Sequence, residues 1–271
     1  MNNNSLNPKH DTEYLTVRGR RLEIAWHGPR PDEAPAPTLI FLHEGLGCVD
    51  MWRDFPAKLA DITGCGSLVY SRLGYGRSEP CHLPRPIRYM HDEGLCVLPE
   101  LIKAAGIREC ILIGHSDGGS IALIYAGGTQ AVPLQGMITE AAHVFCENIN
   151  IQSIRQAKEE YLKSNLFEKL KKYHGVNTDC AFRGWNEAWL HPDFLSWNIE
   201  EYLPGINVPI LIIQGEDDNY GTIAQVETIA EKTGGISEIE MLAECGHSPH
   251  KDRGDTVLEV MKRFIKKILK T

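Results

Sequence analysis

The order of apolar runs in this 271-residue chain predicts an α/β protein, with a mostly parallel central sheet flanked by helices on both faces. Short apolar runs recur along the chain, each too short for a helix and unbroken in the way of strands covered on both sides. Segments with helical spacing separate them. One block of helical signals, about residues 147–203, interrupts the alternation, which then resumes to the end of the chain.

The elements follow in order. Alternating segments at 14–18 and 21–27 flank Gly19-Arg20 and predict an opening hairpin, which makes the sheet mixed. A loop containing Pro29, Pro31, Pro35 and Pro37 ends it. Apolar runs at 38–42 and 67–70 predict buried strands, with a helix near 52–62 between them. A helix near 91–105, a strand at 110–113, a helix after Ser116 and a strand near 137–141 continue the cadence. The interruption carries helical signals from 151 to 172 and an aromatic stretch with Phe182, Trp185, Trp189, Phe194 and Trp197. A strand at 208–213, a helix at 223–232, a strand at 236–242 and a closing helix at 255–270 complete the chain. In the last, Val257, Met261, Phe264, Ile265, Ile268 and Leu269 recur at helical spacing, giving one apolar face.

This length allows one large core, or one core with a small accessory unit. We divide it into a core of 12–146 and 204–271, an insertion of 147–203 and a flexible tail of 1–11. The net charge of −8 has no basic tract against it beyond Lys262-Arg263 and Lys266-Lys267, which excludes a nucleic-acid partner. No run approaches the roughly 20 apolar residues of a membrane span. The first residues lack an apolar export segment. Eight cysteines fall without a CxxC pair, and Cys65, Cys96 and Cys110 read as small buried thiols of a reducing compartment. A soluble, cytoplasmic protein is expected, and a homodimer through the insertion or a sheet edge is compatible with the sequence.

The chemistry begins at Gly114-His115-Ser116-Asp117-Gly118, between a predicted strand and a predicted helix. A strand entering a helix across one sharp turn holds the Ser116 hydroxyl clear of its neighbours, and Gly114 and Gly118 leave room for the turn. Serine needs a base to activate it. Gly215-Glu216-Asp217-Asp218 and Cys245-Gly246-His247 each stand just beyond a later strand, so that an acid and a histidine converge on Ser116. His247 takes the base role, with His250 as its competitor. Asp217 or Asp218 takes the acid role, with Glu140 as an outside candidate. The charge on the attacked carbonyl oxygen falls to the Asp117 amide and to an amide of Gly45 or Leu46, in the loop after the strand at 38–42. His43, Glu44, His143, Trp185 and Trp189 are candidate substrate-pocket residues. Glu44 is out of character beside an oxyanion unless it is turned away or paired, for instance with a nearby base such as Arg72. No GxGxxG fingerprint is present, and His43, His115, His143 and His247 are too dispersed for a metal site, so neither cofactor nor metal is predicted.

The segments HEGLG at 43–47, SRLGYGRS at 71–78, GHSDGG at 114–119, GEDD at 215–218 and CGHSPH at 245–250 resemble the alpha/beta hydrolase fold family across nearly the whole chain. The resemblance implies a Ser-Asp-His triad with Asp218 as the acid and a helical cap coinciding with the interruption. It also implies Gly45 as the second oxyanion amide by direct spacing, or Leu46 if one residue is inserted. The family's usual HG pair is HE here. A serine at the elbow argues against the dehalogenases and epoxide hydrolases of this fold, which place a carboxylate there. The expected function is hydrolysis of a small or medium apolar carboxylic ester through an acyl-enzyme. A lactonase, a thioesterase, a carbon–carbon bond hydrolase, an acyltransferase, a cofactor-free haloperoxidase-like enzyme and a non-catalytic ligand receptor on the same scaffold are the alternatives.

Overall fold

Eight strands form a single mixed sheet in the order β1-β2-β4-β3-β5-β6-β7-β8 in a computed structural model that describes residues 13–128 and 130–270. The predicted tail at 1–11 lies outside the described residues. β1 (Glu13–Val17) and β2 (Arg20–His27) are the predicted hairpin, and β2 also runs antiparallel to β4. All other pairings are parallel. β3 (Thr38–Leu42), β4 (Ser67–Tyr70), β5 (Cys110–His115) and β6 (Leu134–Glu140) are connected by α1 (Phe55–Thr63), by α2 (Tyr89–Asp92) with α3 (Leu98–Ala104), and by α4 (Asp117–Gly127). The helix expected near 91–105 is interrupted by a π-helical turn at Glu93–Val97, just ahead of Pro99, whose missing N–H suits the first turn of α3.

Side chains alternate across the sheet and divide the core in two. Ile40, Leu42, Leu68, Tyr70 and Leu112 face one layer, containing α3 and α4, whereas Leu39, Phe41, Val69, Ile111 and Ile113 face the layer of α1 and the closing helix. That last helix, α10 (Gly254–Ile268), buries Val257, Met261, Phe264 and Ile265 as the spacing predicts. Leu269 is exposed instead, since the helix ends before it. Cys65 and Cys110 are buried, but Cys96 is exposed on the π-helical turn.

An inserted helical cap lies between β6 and β7 (Ile210–Gly215): α5 (Asn148–Lys163), α6 (Leu166–His174) and α7 (Thr178–Trp189). The helical signals at 151–172 divide at Ser164-Asn165 into α5 and α6, and the aromatic stretch is itself a helix, with Phe182, Trp185 and Trp189 on its buried face. Cap side chains join the first core layer. Polar bonds also fasten the cap. His174 accepts from the Gly76 amide at 2.9 Å and bonds the Leu46 carbonyl at 2.9 Å, while Asn177 donates to the carbonyls of Gly76 and Ser78. α8 (Ile223–Lys232), β8 (Ser237–Leu242), α9 (Pro249–Asp252) and α10 finish the chain.

Strand order reverses between β3 and β5, which sends their following loops apart and opens a crevice at the carboxyl edge. The HEGLG loop follows β3 and the Ser116 turn follows β5, so both border that crevice.

Candidate active site

Ser116 has φ 53° and ψ −118°, a strained conformation for a side chain with a Cβ. It is held by its own N–H, which donates to the Glu140 carbonyl at 2.8 Å, and by its carbonyl, which accepts from Ser120 N–H at 3.0 Å. A Cβ on Gly114 would strike the Gly118 carbonyl, and one on Gly118 would strike the Leu42 carbonyl, so the tightness of this turn explains both glycines.

Three loops meet at the serine. His247 Nε2 lies 2.9 Å from Ser116 Oγ, and His247 Nδ1 lies 2.9 Å from both carboxylate oxygens of Asp218. Asp218 also accepts from Gln214 Nε2 at 2.8 Å and from the Tyr220 amide at 2.7 Å. Burial works against its charge, but the hydrogen bonds of His247 and Tyr220 prevail and hold its carboxyl below the ordinary value. The neighbouring Asp217 is exposed, which separates the two carboxylates left open by the sequence. With Nδ1–H directed at Asp218, the other ring nitrogen is free to accept the serine proton.

The two competitors pair with each other. His250 Nδ1 and its amide both bond Glu140 Oε2 at 2.9 Å, away from the serine hydroxyl. His115 braces the base from behind, with Nε2 2.6 Å from the His247 carbonyl.

Glu44 is not paired through its side chain with Arg72. Arg72 instead donates to the carbonyls of His43 at 2.5 Å and Glu44 at 2.9 Å, and its nearest carboxylate is Asp117 at 3.8 Å. The Glu44 carboxylate meets Lys251 Nζ at 3.3 Å. Burial opposes its ionisation, yet Lys251 keeps its carboxyl well below the ordinary value. His43 is wholly buried beneath the loop. Its Nδ1 bonds the Glu44 carbonyl at 2.7 Å while its Nε2 accepts from the Arg72 amide at 3.0 Å. Burial, with Arg72 beside it, drives the ring well below its ordinary pKa, so it is a neutral brace.

Above the serine is a cavity of about 240 Å³. Glu44, Gly45, Leu46, Asp117, His143, Trp185 and Trp189 all line it; His43 does not. Trp185 rests on Gly45 so closely that a Cβ there would collide with the indole. Trp189 Nε1 donates to Tyr89 Oη at 3.0 Å and to Asp117 Oδ1 at 3.2 Å, while Tyr89 Oη donates to Asp117 Oδ2 at 2.5 Å. The Asp117 side chain is thus clamped away from the nucleophile, and burial raises its pKa. The ring of His143 stacks on His247 with centroids 5.8 Å apart. Burial, then the neighbouring His247, pushes its pKa down to about 3, so it is neutral at physiological pH.

The sequence did not single out the remaining walls: Met51, Asn150, Ile154, Leu166, Leu170 and Tyr220. Tyr220 was visible as the second residue after Asp218, and Leu166 and Leu170 as an i,i+4 pair on a helix. Among the described residues no group of histidine, cysteine, aspartate or glutamate could hold a metal ion.

A nucleophile elbow at a switch crevice, a histidine in proton-transfer reach and a carboxylate behind it form a Ser-His-Asp catalytic triad, and with this fold they define a serine hydrolase. The chain belongs to the alpha/beta hydrolase family, whose sequence profile matches residues 39–260. It is similar to the proline iminopeptidase of Lactobacillus crispatus, 24% identical over 279 positions, with 88% of this chain and 92% of the relative covered. The proline iminopeptidase of Saccharolobus solfataricus is 29% identical over 272 positions, covering 85% of each chain. Among solved structures, an esterase from Exiguobacterium antarcticum has the same fold, with a TM-score of 0.71 at 19% identity, covering 93% of this chain and 98% of its own.

Proposed function

We propose that this enzyme hydrolyses small apolar carboxylic esters through an acyl-enzyme on Ser116. The observation that carries the reading is the wall of the cavity above the 2.9 Å contact between Ser116 and His247. Met51, Ile154, Leu166, Leu170 and the two tryptophans make it apolar, and no lysine or arginine lines it. An anionic substrate would find no counter-charge there.

Ser116 Oγ attacks the carbonyl carbon as His247 Nε2 takes its proton, with Asp218 stabilising the imidazolium. The amides of Asp117 and of Gly45 or Leu46 hold the developing oxyanion, and the start of α4 adds its dipole. Lys251 offsets the Glu44 charge nearby. His247 then protonates the leaving alcohol, and water repeats the sequence on the acyl-enzyme. Neutral His143 shapes the wall behind His247. Trp185 and Trp189 set the depth of the acyl pocket, within a cap unit of 147–203 on a core of 12–146 and 204–271.

The peptidase activity named for two relatives would require a partner for a charged substrate amine. The lining carboxylates are Glu44, engaged by Lys251, and Asp117, engaged by Tyr89 and Trp189, which favours the ester reading. We place the enzyme in a reducing compartment such as the cytoplasm on the scatter of its eight cysteines along the sequence. The test is fluorophosphonate labelling followed by a panel of p-nitrophenyl esters and prolyl anilides. Labelling of Ser116 with turnover of short-chain esters and none of prolyl anilides is expected. Faster turnover of the anilides would overturn the substrate assignment, and an unlabelled Ser116 in folded protein would overturn the mechanism.

A further inference from the structure

The seam between cap and core holds a second cluster of reactive groups that the hydrolytic site does not use. Cys81 lies in the loop after the SRLGYGRS turn, and Cys180 lies in α7 of the cap. Both sulphurs approach Gly74, standing 2.6 Å and 2.7 Å from where its Cβ would be, so they cannot be farther apart than those two distances combined. The Cys180 thiol also points at the Cys81 carbonyl, at 3.4 Å. Arg85 is the third member. Its Nη2 is 3.3 Å from Cys81 Sγ and 3.1 Å from the Leu73 carbonyl, and its guanidinium lies over the rings of Tyr75 and Tyr89 at 4.6 Å and 5.6 Å. Gly184, one turn beyond Cys180, leaves room for Arg85: a Cβ there would come within 2.9 Å of its Nε.

We infer that Cys81 and Cys180 form a peroxide-sensitive dithiol site whose oxidation to a disulfide staples α7 of the cap to the core. The two thiols have divided roles. The adjoining Cys180 thiol and the charge of Arg85 draw Cys81 below the ordinary thiol value, while Cys180 is pushed up and keeps its proton. Burial raises Cys48, Cys65, Cys110, Cys146 and Cys245, so Cys81 stands apart from these as the thiol that ionises most readily. Both cysteines of the pair are half-buried, within reach of a small oxidant.

The chemistry balances with a peroxide as oxidant. The Cys81 thiolate attacks one peroxide oxygen, the O–O bond breaks, and the departing hydroxide takes a proton to become water. The Cys180 sulphur then attacks the Cys81 sulphenic sulphur, the S–O bond breaks, and that hydroxide leaves with the Cys180 proton as a second water. Each thiol is oxidised by one electron and the peroxide is reduced by two. The bridge joins positions 99 residues apart and fixes the helix that carries Trp185 and Trp189. Because the pair is separate from the triad, the inference does not depend on the ester reading.

The experiment is peptide mapping of the intact chain under non-reducing conditions after treatment with stoichiometric hydrogen peroxide at about pH 7. One cross-link between the Cys81 and Cys180 peptides, about 2 Da lighter than the two thiols and reversed by dithiothreitol, is expected. The thermal midpoint of the bridged protein should rise by about 5 °C, since a long loop is closed. In Cys180→Ser, dimedone should trap a sulphenic acid on Cys81 without that rise, and in Cys81→Ser, Cys180 should stay alkylatable. If neither variant folds, the wild-type map decides alone. Consumption of the exposed Cys96 ahead of Cys81, or oxidation of Cys81 with Cys180 left free, would overturn the inference.

Discussion

Two histidine–carboxylate pairs, whose histidines stand three residues apart beyond β8, do different work. His247 with Asp218 and His250 with Glu140 have the same donor–acceptor distance, 2.9 Å. The His250 side chain is only 2% exposed and packs against Trp52 and Phe55, whereas that of His247 is 16% exposed and turns its second nitrogen to a hydroxyl in a cavity. The difference teaches that a histidine–carboxylate pair becomes catalytic through what its far nitrogen faces. Closed on itself among aromatic rings, the same chemistry serves only to hold β6 against α9.

The widest separation between the pairs comes from their chemistry. His247→Ala should lower kcat/KM by roughly 10⁴-fold or more, and Asp218→Asn by about 10⁴-fold, with thermal midpoints near wild type. Glu140→Ala should do the reverse. Opening a buried pair costs about 3–5 kcal/mol in urea unfolding, while the folded variant should retain activity within about tenfold. Glu140→Ala matching Asp218→Asn in activity, with stability intact, would erase the distinction.

Acid tests both pairs at once. Asp218 and Glu140 have folded pKa values below their ordinary 3.8 and 4.5, and burial depresses His43 and His143 below 6.5. In each case the unfolded chain binds the proton first as pH falls, so the stability these groups contribute is present above the unfolded value and lost below it. Urea midpoints should hold near neutrality, begin to decline below about pH 6.5 as the histidines of the unfolded chain protonate, and fall more steeply below about pH 4.5. A midpoint that rises on acidification would contradict the placement of these groups.

The smallest effect concerns a charge beside the catalytic pair. Lys251→Ala leaves Glu44 without its cation near the proposed oxyanion site, and kcat should fall by about fivefold, an effect on the order of 1 kcal/mol. Adding Glu44→Gln should restore most of it. Steady-state kinetics of the single and double variants measures this coupling directly.

Much of this was legible because strands in a parallel sheet write continuous apolar runs, and the residues just after those runs must gather at one edge. Ser116, Asp218 and His247 were found that way, although the choice of Asp218 over Asp217 came from family resemblance. Side-chain direction was not legible. Nothing in the order of residues says that Arg72 spends its guanidinium on two carbonyls, or that Glu44 reaches Lys251 across 207 positions. The third cap helix was read only as aromatic, since Gly184 weakens helix propensity where Phe182, Trp185 and Trp189 supply the tertiary packing that stabilises it. The π-helical turn was hidden for a related reason, because its hydrogen-bond register leaves no periodic mark in five residues.

Trp185 lies on Gly45 and Trp189 holds the side chain of Asp117, so two indoles of the cap stand in the wall of the cavity that the nucleophile also lines. The protein therefore carries its own fluorophores at the place where chemistry occurs. Filling the chamber or shifting its roof changes the surroundings of both rings, and the emission spectrum becomes an optical record of occupancy without any attached dye.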